Sequence, residues 1–407
     1  MSLRRQGFRG DRTAALLLLL GAFGCASAER RPAVPFELST QATVVGFPAG
    51  IRYFPRDATD VKEFERDFLA SNETEKKFLG VAELPPNAYL AISGGGDNGA
   101  FGAGLLNGWT KSGTRPEFKL VTGVSTGALI APFAFLGPAY DERLAALYTG
   151  ISMRDVAEER WLLSVLYDDA VADNAPLRRL VKKSVTQEML DAIAAEHDKG
   201  RILLVATTNL DVRRPVIWNI TEIAATRRPG ALELVHKILI ASAAIPGTFP
   251  PVMIDVEAGG RRYQEMHVDG GTASQVFVYP SALHLHELAQ RDRTLYLIRN
   301  ARMDPDWSQV DRRTLPISLR AITCLIHNQG IGDLYRIYAI AQRDHIRFRL
   351  VYIPSTFQTP HPAEFDTAYM RALFALGEKM AVEGHEWYDH PPVLLSGVDE
   401  GEAGGGR

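Results

Sequence analysis

Short apolar runs alternate with longer amphipathic stretches through the middle of the chain. The apolar runs have the length of buried strands, and they cover residues 88–93, 119–124, 201–208, 215–219, 294–298 and 346–353. The amphipathic stretches have helical spacing, and they cover residues 98–111, 126–136, 232–244, 317–342 and 365–382. Strands that alternate with helices in this way predict an α/β layer structure with a largely parallel sheet.

The N-terminus carries the pattern of an export signal. Four arginines among the first twelve residues precede a short apolar run with five consecutive leucines at positions 16–20. This run is too short to span a bilayer comfortably, so residues 1–28 are predicted to be a secretory signal peptide. Cleavage before Cys25 at a lipobox-like sequence would give a lipoprotein of the bacterial cell envelope. Cleavage after Ala28 would give a periplasmic or secreted protein, and an uncleaved anchor is the third alternative.

Composition and charge exclude several classes of function. The net charge is −3 and 46% of the residues are hydrophobic, so the chain can form a packed core but has no basic footprint for nucleic acid. Without a polybasic face, any contact with a membrane surface is expected to be apolar and local. The two cysteines, Cys25 and Cys324, form no zinc or iron–sulfur pattern, and the apolar stretch 321–326 predicts that Cys324 is buried.

The segment from Gly123 to Gly127 has the sequence G-V-S-T-G and matches G-x-S-x-G. In this motif a serine occupies the apex of a sharp turn between a strand and a helix, and the glycines allow the two elements to approach closely. The predicted strand 119–124 and helix 126–136 provide that setting. Ser125 is therefore the candidate nucleophile, with a simple Gly-Ser turn as the structural alternative.

A glycine-rich loop lies between the predicted strand 88–93 and the helix that follows it. Gly94, Gly95, Gly96 and Gly99 also satisfy G-x-G-x-x-G, the dinucleotide-binding fingerprint. A dinucleotide-binding site would require an acidic residue after the next strand, where this chain has the serine motif instead. We therefore favour an oxyanion hole, since glycine N–H groups can approach a substrate without a Cβ in the way.

The serine also needs a proton acceptor. Asp269 follows a short strand and precedes Gly270 and Gly271, so its carboxylate can reach a neighbouring loop, although an Asp-Gly hairpin turn would have the same sequence. A histidine triad is the alternative. It could use a histidine downstream of the serine, and no local context distinguishes one among His284, His286, His327, His345, His361, His385 and His390.

Together the glycine loop, the serine motif, the segment 241–251 (A-S-A-A-I-P-G-T-F-P-P) and the Asp-Gly-Gly turn resemble the patatin-like phospholipase family. The resemblance runs from about residue 89 to residue 280. It implies a three-layer α/β fold in which a mostly parallel central sheet is flanked by helices. It also implies a catalytic dyad of Ser125 and Asp269, an oxyanion hole from Gly94, Gly95 and Gly96, and no metal or organic cofactor. The supporting glycines would be Gly99, Gly123, Gly127, Gly270 and Gly271.

On this resemblance we expect a lipid acyl hydrolase that acts on fatty-acyl lipids at a membrane surface. Asn98 stands where the family often has Arg or Lys, which favours neutral glycerides, lysolipids or short esters over phospholipids. A catalytically silent lipid-binding lipoprotein and an α/β-hydrolase with a histidine triad are the alternatives. The expected organisation is a signal peptide (1–28), an N-terminal extension (29–84), the catalytic core (85–285), a C-terminal part completing the same domain (286–398) and a disordered tail (399–407).

Overall fold

The computed structural model describes residues 30–156, 158–159, 172–288, 291–304, 307, 309–384 and 387–392. The predicted signal peptide with Cys25 and the predicted C-terminal tail lie outside these residues, as does His385.

Ten of the twelve described strands form one mixed sheet. The strands are β1 (Thr43–Val44), β2 (Arg52–Tyr53), β3 (Asn87–Ile92), β4 (Phe118–Val124), β5 (Glu158–Glu159), β6 (Ala172–Asp173), β7 (Ile202–Asn209), β8 (Arg214–Asn219), β9 (Val252–Ala258), β10 (Arg261–Asp269), β11 (Arg293–Arg299) and β12 (Arg347–Tyr352). Strands β7, β4, β3, β11 and β12 are mutually parallel in that order. Strand β10 pairs antiparallel with the C-terminal end of β7, on the same edge of β7 as β4, and is followed in the sheet by β9 and β1. Strand β8 pairs with the other edge of β7, and β2 pairs with β8.

Twelve α-helices are described. They are α1 (Ala58–Leu79), α2 (Gly99–Lys111), α3 (Thr126–Leu136), α4 (Asp141–Gly150), α5 (Met153–Val156), α6 (Ala175–Ser184), α7 (Gln187–His197), α8 (Ile220–Ala225), α9 (Ala231–Ser242), α10 (Leu285–Leu288), α11 (Thr314–Arg343) and α12 (Thr367–Glu383). No described helix is both long enough and apolar enough to cross a membrane.

The sheet separates two apolar cores, which confirms the predicted three-layer α/β fold. Successive side chains of β3 point to opposite faces, so Leu90 and Ile92 enter one core while Tyr89 and Ala91 enter the other. The first core also receives buried side chains from α2, α3, α4, α6, α7, α8, α9 and α12. The second core lies beneath α1 and the C-terminal half of α11.

The predicted strands and helices agree with the structure to within three residues at each end, but other elements were not predicted, among them α1, α4, α6, α7, α8 and most of the hairpin of β9 and β10. Helix α1 begins at Asp57, whose carboxylate accepts hydrogen bonds from the N–H groups of Thr59 and Asp60, and it ends at Gly80 with φ 67°. The helix is polar on most sides and buries a narrow stripe that includes Phe64 and Phe68. In the hairpin of β9 and β10, only the short strand end before Asp269 was predicted. Charged residues interrupt the alternation of apolar and polar positions along the rest of the hairpin.

The prediction that Cys324 is buried is wrong. Cys324 is exposed on α11, and none of the described side chains between positions 314 and 329 is buried. The apolar stretch 321–326 lies on the N-terminal half of this helix, which extends past the region where the C-terminal half packs on the sheet.

Helices α2 and α12 pack so closely that their contact requires glycine. A Cβ on Gly104 would overlap the backbone carbonyl of Phe374, and a Cβ on Gly377 would overlap that of Phe101. The backbones of the two helices therefore touch directly, and this contact fixes the helix that follows the glycine loop.

We expect Gly104→Ala to lower the free energy of unfolding by about 1–3 kcal/mol, because the added methyl has no space at the contact. Gly332→Ala is the matched control. Gly332 lies in α11 with nothing within 4 Å of its Cβ position, so this change should be neutral or stabilise by up to about 1 kcal/mol. Urea denaturation of both variants measures the difference. Equal stability of the two variants would contradict the packing description.

Candidate active site

Two strands meet end to end along one edge of β7. Strand β4 runs parallel to β7 and ends with Val124 opposite Ala206. Strand β10 runs in the opposite direction and ends with Asp269 opposite Thr207, the next residue of β7. Strand β8 occupies the other edge of β7 at these positions. The turns that follow β4 and β10 are consequently adjacent, although they lie 144 residues apart in the sequence.

Ser125 occupies the sharp turn between β4 and α3. Its φ of 55° and ψ of −125° are unusual for a residue with a side chain, and such a conformation costs on the order of 1–3 kcal/mol. The Ser125 N–H donates to Ser242 Oγ at 3.0 Å, and Ser242 Oγ donates to the Ala206 carbonyl at 2.7 Å. A Cβ on Gly127 would overlap the Ile92 carbonyl. The turn is thus held in this conformation from several sides.

The hydroxyl of Ser125 donates a hydrogen bond to Asp269, with 2.6 Å between Oγ and Oδ2. The second carboxylate oxygen of Asp269 accepts from the Gly271 N–H at 2.6 Å. Asp269 is only 3% exposed, and this burial raises the pKa of its carboxyl group to about 7, although the two hydrogen bonds oppose the rise. A carboxylate with such a pKa can take a proton from the serine near neutral pH.

The three glycines of the loop have different surroundings. The Gly94 N–H donates to the Gln275 carbonyl at 3.0 Å, so Gly94 is not among the oxyanion donors that we propose below. The N–H groups of Gly95 and Gly96 have no protein acceptor among the described residues. Gly95 has φ 155° and no room for a Cβ against Asn300, while Gly96 has φ 58° and lines the same cavity as Ser125.

Asn300, which follows β11, supports the loop and was missed by the sequence analysis. Its amide Nδ2 donates to the Ser93 carbonyl at 3.0 Å, and its Oδ1 accepts from the Gly102 N–H at 3.0 Å. Its own N–H donates to Ser93 Oγ at 2.9 Å. Its position at the carboxyl end of a parallel strand was the available signal, because sites in open α/β sheets form there.

The remaining glycines named from the motifs lie in close contacts. A Cβ would overlap Thr126 at Gly99, the Gly127 carbonyl at Gly123, the Ala206 carbonyl at Gly270 and the Gln275 side chain at Gly271. The glycines therefore allow the strands, helices and loops around Ser125 and Asp269 to approach one another.

Asn98 stands where the patatin-like family often has Arg or Lys, and Asp97 precedes it. Both side chains form hydrogen bonds with the C-terminal part of the chain. Asp97 is buried, and its Oδ2 accepts from His361 Nε2 at 2.7 Å and from the Phe365 N–H at 2.8 Å. The hydrogen bond that His361 donates to the Asp97 carboxylate raises the pKa of His361. Asn98 Oδ1 accepts from the Tyr369 hydroxyl at 2.6 Å.

Within the described part of the chain, no histidine forms a hydrogen bond with Ser125 or Asp269. His361 binds Asp97, His286 binds Asp344 at 2.9 Å and His390 binds Asp389 at 2.6 Å. The geometry therefore favours the aspartate over the histidine triad as the partner of the serine.

Comparison with known proteins supports the resemblance. The family model described as patatin-like phospholipase matches residues 90–280. The chain carries a patatin-like phospholipase domain. This family consists of lipid hydrolases, and the matched residues include the glycine loop, Ser125 and Asp269. Among curated proteins, none matches the chain.

The solved structures that are similar to the chain include VipD and the SpcU–ExoU complex. VipD from Legionella pneumophila is 13% identical, and the alignment covers 76% of this chain and 69% of VipD with a TM-score of 0.35. The complex of SpcU with ExoU, from the type III secretion system of Pseudomonas aeruginosa, contains a chain that is also 13% identical. That alignment covers 74% of this chain and 52% of its counterpart, with a TM-score of 0.31.

An apolar cavity opens beside the serine of the patatin-like domain. It encloses about 680 Å³ of empty volume, part of which is open to solvent. Among the described residues its lining includes no charged side chain, and these residues are Gly96, Ser125, Thr126, Leu129, Phe133, Leu147, Tyr148, Ile151, Val156, Leu177, Leu180, Val181, Ser184, Val185, Ala243, Ile245, Phe249 and Phe365. The apolar character of this cavity suits the hydrocarbon part of a ligand.

The raised pKa of Asp269 makes the reactivity of Ser125 depend on pH. We expect the rate at which a fluorophosphonate labels Ser125 to rise with pH and to level off above about 7, because only the ionised carboxylate accepts the serine proton. Labelling of the wild type between about pH 5 and 9, followed by intact-mass spectrometry, measures this dependence. Asp269→Asn should label far more slowly at every pH. Labelling at one constant rate throughout would contradict the assignment of Asp269 as base.

Proposed function

We propose that the protein is a serine lipid acyl hydrolase that cleaves fatty-acyl esters with the Ser125–Asp269 dyad. One observation carries the proposal: the Ser125 hydroxyl lies 2.6 Å from a buried carboxylate whose pKa is about 7. The position of this pair beside an apolar cavity, inside a domain of a lipid hydrolase family, supports the same conclusion.

The acylation half of the reaction begins when Ser125 Oγ attacks the ester carbonyl carbon and its proton passes to Asp269. The carbonyl oxygen becomes an oxyanion, which the N–H groups of Gly95 and Gly96 would stabilise. Loss of one such donor costs about 3–4 kcal/mol of transition-state stabilisation. As the tetrahedral intermediate collapses, the carbon–oxygen bond to the alcohol breaks, the alcohol takes the proton from Asp269, and an acyl-enzyme remains.

The deacylation half uses the same carboxylate. Asp269 removes a proton from a water molecule, and the resulting nucleophile attacks the acyl carbon of the Ser125 ester. The second tetrahedral intermediate breaks the bond to Ser125 Oγ, which takes the proton back from Asp269, and the fatty acid leaves. The proton transfers of deacylation therefore need only water and the side chains of Ser125 and Asp269.

The cavity lining indicates the class of substrate. Apolar side chains suit an acyl chain, and the lining residues that the structure describes include no Lys or Arg that could bind a phosphate. Asn98, at the position where the resemblance predicts a basic residue, is neutral and is bound to the C-terminal segment. We therefore propose neutral glycerides, lysolipids or short esters as the preferred substrates.

We also propose that the protein is exported through its N-terminal signal peptide. The signal peptide (1–28), and lipidation at Cys25 or release after Ala28, concern residues outside those described. A lipid-anchored or secreted enzyme would encounter acyl lipids at a membrane surface, which fits the proposed chemistry. Mass spectrometry of the mature protein would distinguish the two cleavage sites.

We expect Ser125→Ala and Asp269→Asn each to reduce ester hydrolysis by about 10³-fold or more, since the two residues act as one unit. The measurement uses purified residues 29–407 and substrates from p-nitrophenyl butyrate to phosphatidylcholine. The matched controls are the variants Ser355→Ala and Asp198→Asn, which change exposed residues and should keep the wild-type activity.

Variants of the downstream histidines test the alternative triad and should all remain active. Wild-type activity in both Ser125→Ala and Asp269→Asn would contradict the assignment of these two residues as catalytic. A folded wild type without activity on any ester would favour the silent lipid-binding protein.

A further inference from the structure

The N-terminal half of α11 carries apolar side chains that the protein does not cover. We call residues 314–329 the projecting half of α11. Within it Ile317 is 51% exposed and Leu325 is 70% exposed, and Trp307 shortly before the helix is 85% exposed. From Gly330 onward the same helix buries side chains such as Leu334 and Ile337. The exposed apolar positions are thus concentrated in one part of a helix whose other part is packed normally.

This region is also locally cationic. Between Arg312 and Gly332 the sequence contains three arginines, one histidine and no Asp or Glu, although the whole chain has a net charge of −3. Arg312 and Arg313 are exposed, and Arg320 is half-buried. Asp304, Asp306 and Asp311 precede this stretch in the sequence, and Asp333 follows it but is buried. Exposed apolar residues together with cations are the properties of a helix that lies in the interface of an anionic membrane.

The projecting half of α11 lies beside the active site. Leu319 Cδ2 is 3.8 Å from the position that a Cβ on Gly247 would take. Gly247 belongs to the segment that contributes Ala243, Ile245 and Phe249 to the cavity. At the end of the projecting half, Gln329 Nε2 donates to the carbonyl of Ala273, near the Asp-Gly-Gly turn. A surface bound by this helix would therefore lie close to the cavity.

We infer that the projecting half of α11, together with Trp307, docks the enzyme on an anionic lipid surface. This inference rests on the proposed function, because a lipid substrate must pass from such a surface into the cavity. The charges favour an anionic lipid surface, because the projecting half of α11 and the two residues before it carry arginines and no Asp or Glu. Anionic head groups would attract Arg312 and Arg313, while Ile317 and Leu325 enter the interface.

The test compares two double variants of the protein comprising residues 29–407. Ile317→Asp/Leu325→Asp changes the proposed surface. Phe78→Asp/Val382→Asp is the matched control, because Phe78 and Val382 are 57% and 50% exposed on other helices. Binding is measured by sedimentation with vesicles of phosphatidylcholine alone or with about one quarter phosphatidylglycerol, and hydrolysis of p-nitrophenyl butyrate is measured in parallel.

The wild type and the control should bind the anionic vesicles more tightly than the neutral ones, and Trp307 fluorescence should shift to the blue. The Ile317→Asp/Leu325→Asp variant should bind at least about tenfold more weakly while it hydrolyses p-nitrophenyl butyrate at the wild-type rate. Arg312→Gln/Arg313→Gln should lose about fivefold in affinity per charge removed, and only for anionic vesicles.

Equal vesicle binding by the wild type and the Ile317→Asp/Leu325→Asp variant would overturn the docking surface. A dimer in solution that only this variant converts to a monomer would also overturn it, in favour of a second copy. Failure of every protein to hydrolyse p-nitrophenyl butyrate would count against the proposed function, and vesicle binding would still test the docking surface independently.

Discussion

The contact between Ser125 and Asp269 depends on the way in which β4 and β10 share one edge of β7. The two strands run toward each other along this edge, and each ends at a turn that its glycines keep compact. Because neighbouring residues of β7 fix both strand ends, the hydroxyl and the carboxylate meet without a flexible loop between them. The sheet register therefore sets the geometry of the proposed reaction.

Burial of Asp269 gives this contact its chemical character. A carboxylate surrounded by apolar groups is disfavoured in its charged form, which raises its pKa into the range in which it can exchange protons with a serine. The hydrogen bonds from Ser125 and Gly271 keep the raised value near neutrality. The same enclosed environment continues into the apolar cavity, so that the reacting pair and the proposed acyl site are built from one packed region.

Helix α11 links the active site to the molecular surface. Its buried Asp333 accepts hydrogen bonds from Ser274 Oγ at 3.0 Å and from the Gln275 N–H at 2.6 Å. The Gln275 carbonyl in turn accepts from the Gly94 N–H, and this chain of contacts positions the glycine loop. The projecting half of the same helix is exposed. A single element thus supports the proposed oxyanion donors from within and presents the proposed docking surface outside.

The parts of the site that the sequence predicted are those with a local signature. Ser125 lies between a strand and a helix with glycines at fixed spacing, and Asp269 precedes two glycines at a strand end. Ser242, Gln275 and Asn300 were missed because they act through backbone contacts with residues far away in the sequence.

The predictions for the fold show the same limit. Alternating strands and helices predicted the layers correctly, because hydrophobic periodicity is a local property. Periodicity could not show that the apolar stretch around Cys324 remains uncovered, since that depends on which part of α11 packs against the sheet. The charged hairpin of β9 and β10 was likewise recognisable only from its pairing with β7 and β1.

The proposed reaction requires Asp269 to be a buried base whose pKa is close to neutral. Infrared difference spectroscopy of the wild type against Asp269→Asn, recorded as a function of pH, isolates the carbonyl stretch of this one protonated carboxyl group. The account predicts a band that disappears with a midpoint near pH 7. A midpoint near the ordinary aspartate value of about 4 would contradict it, because such a group would be too weak a base for the proposed reaction.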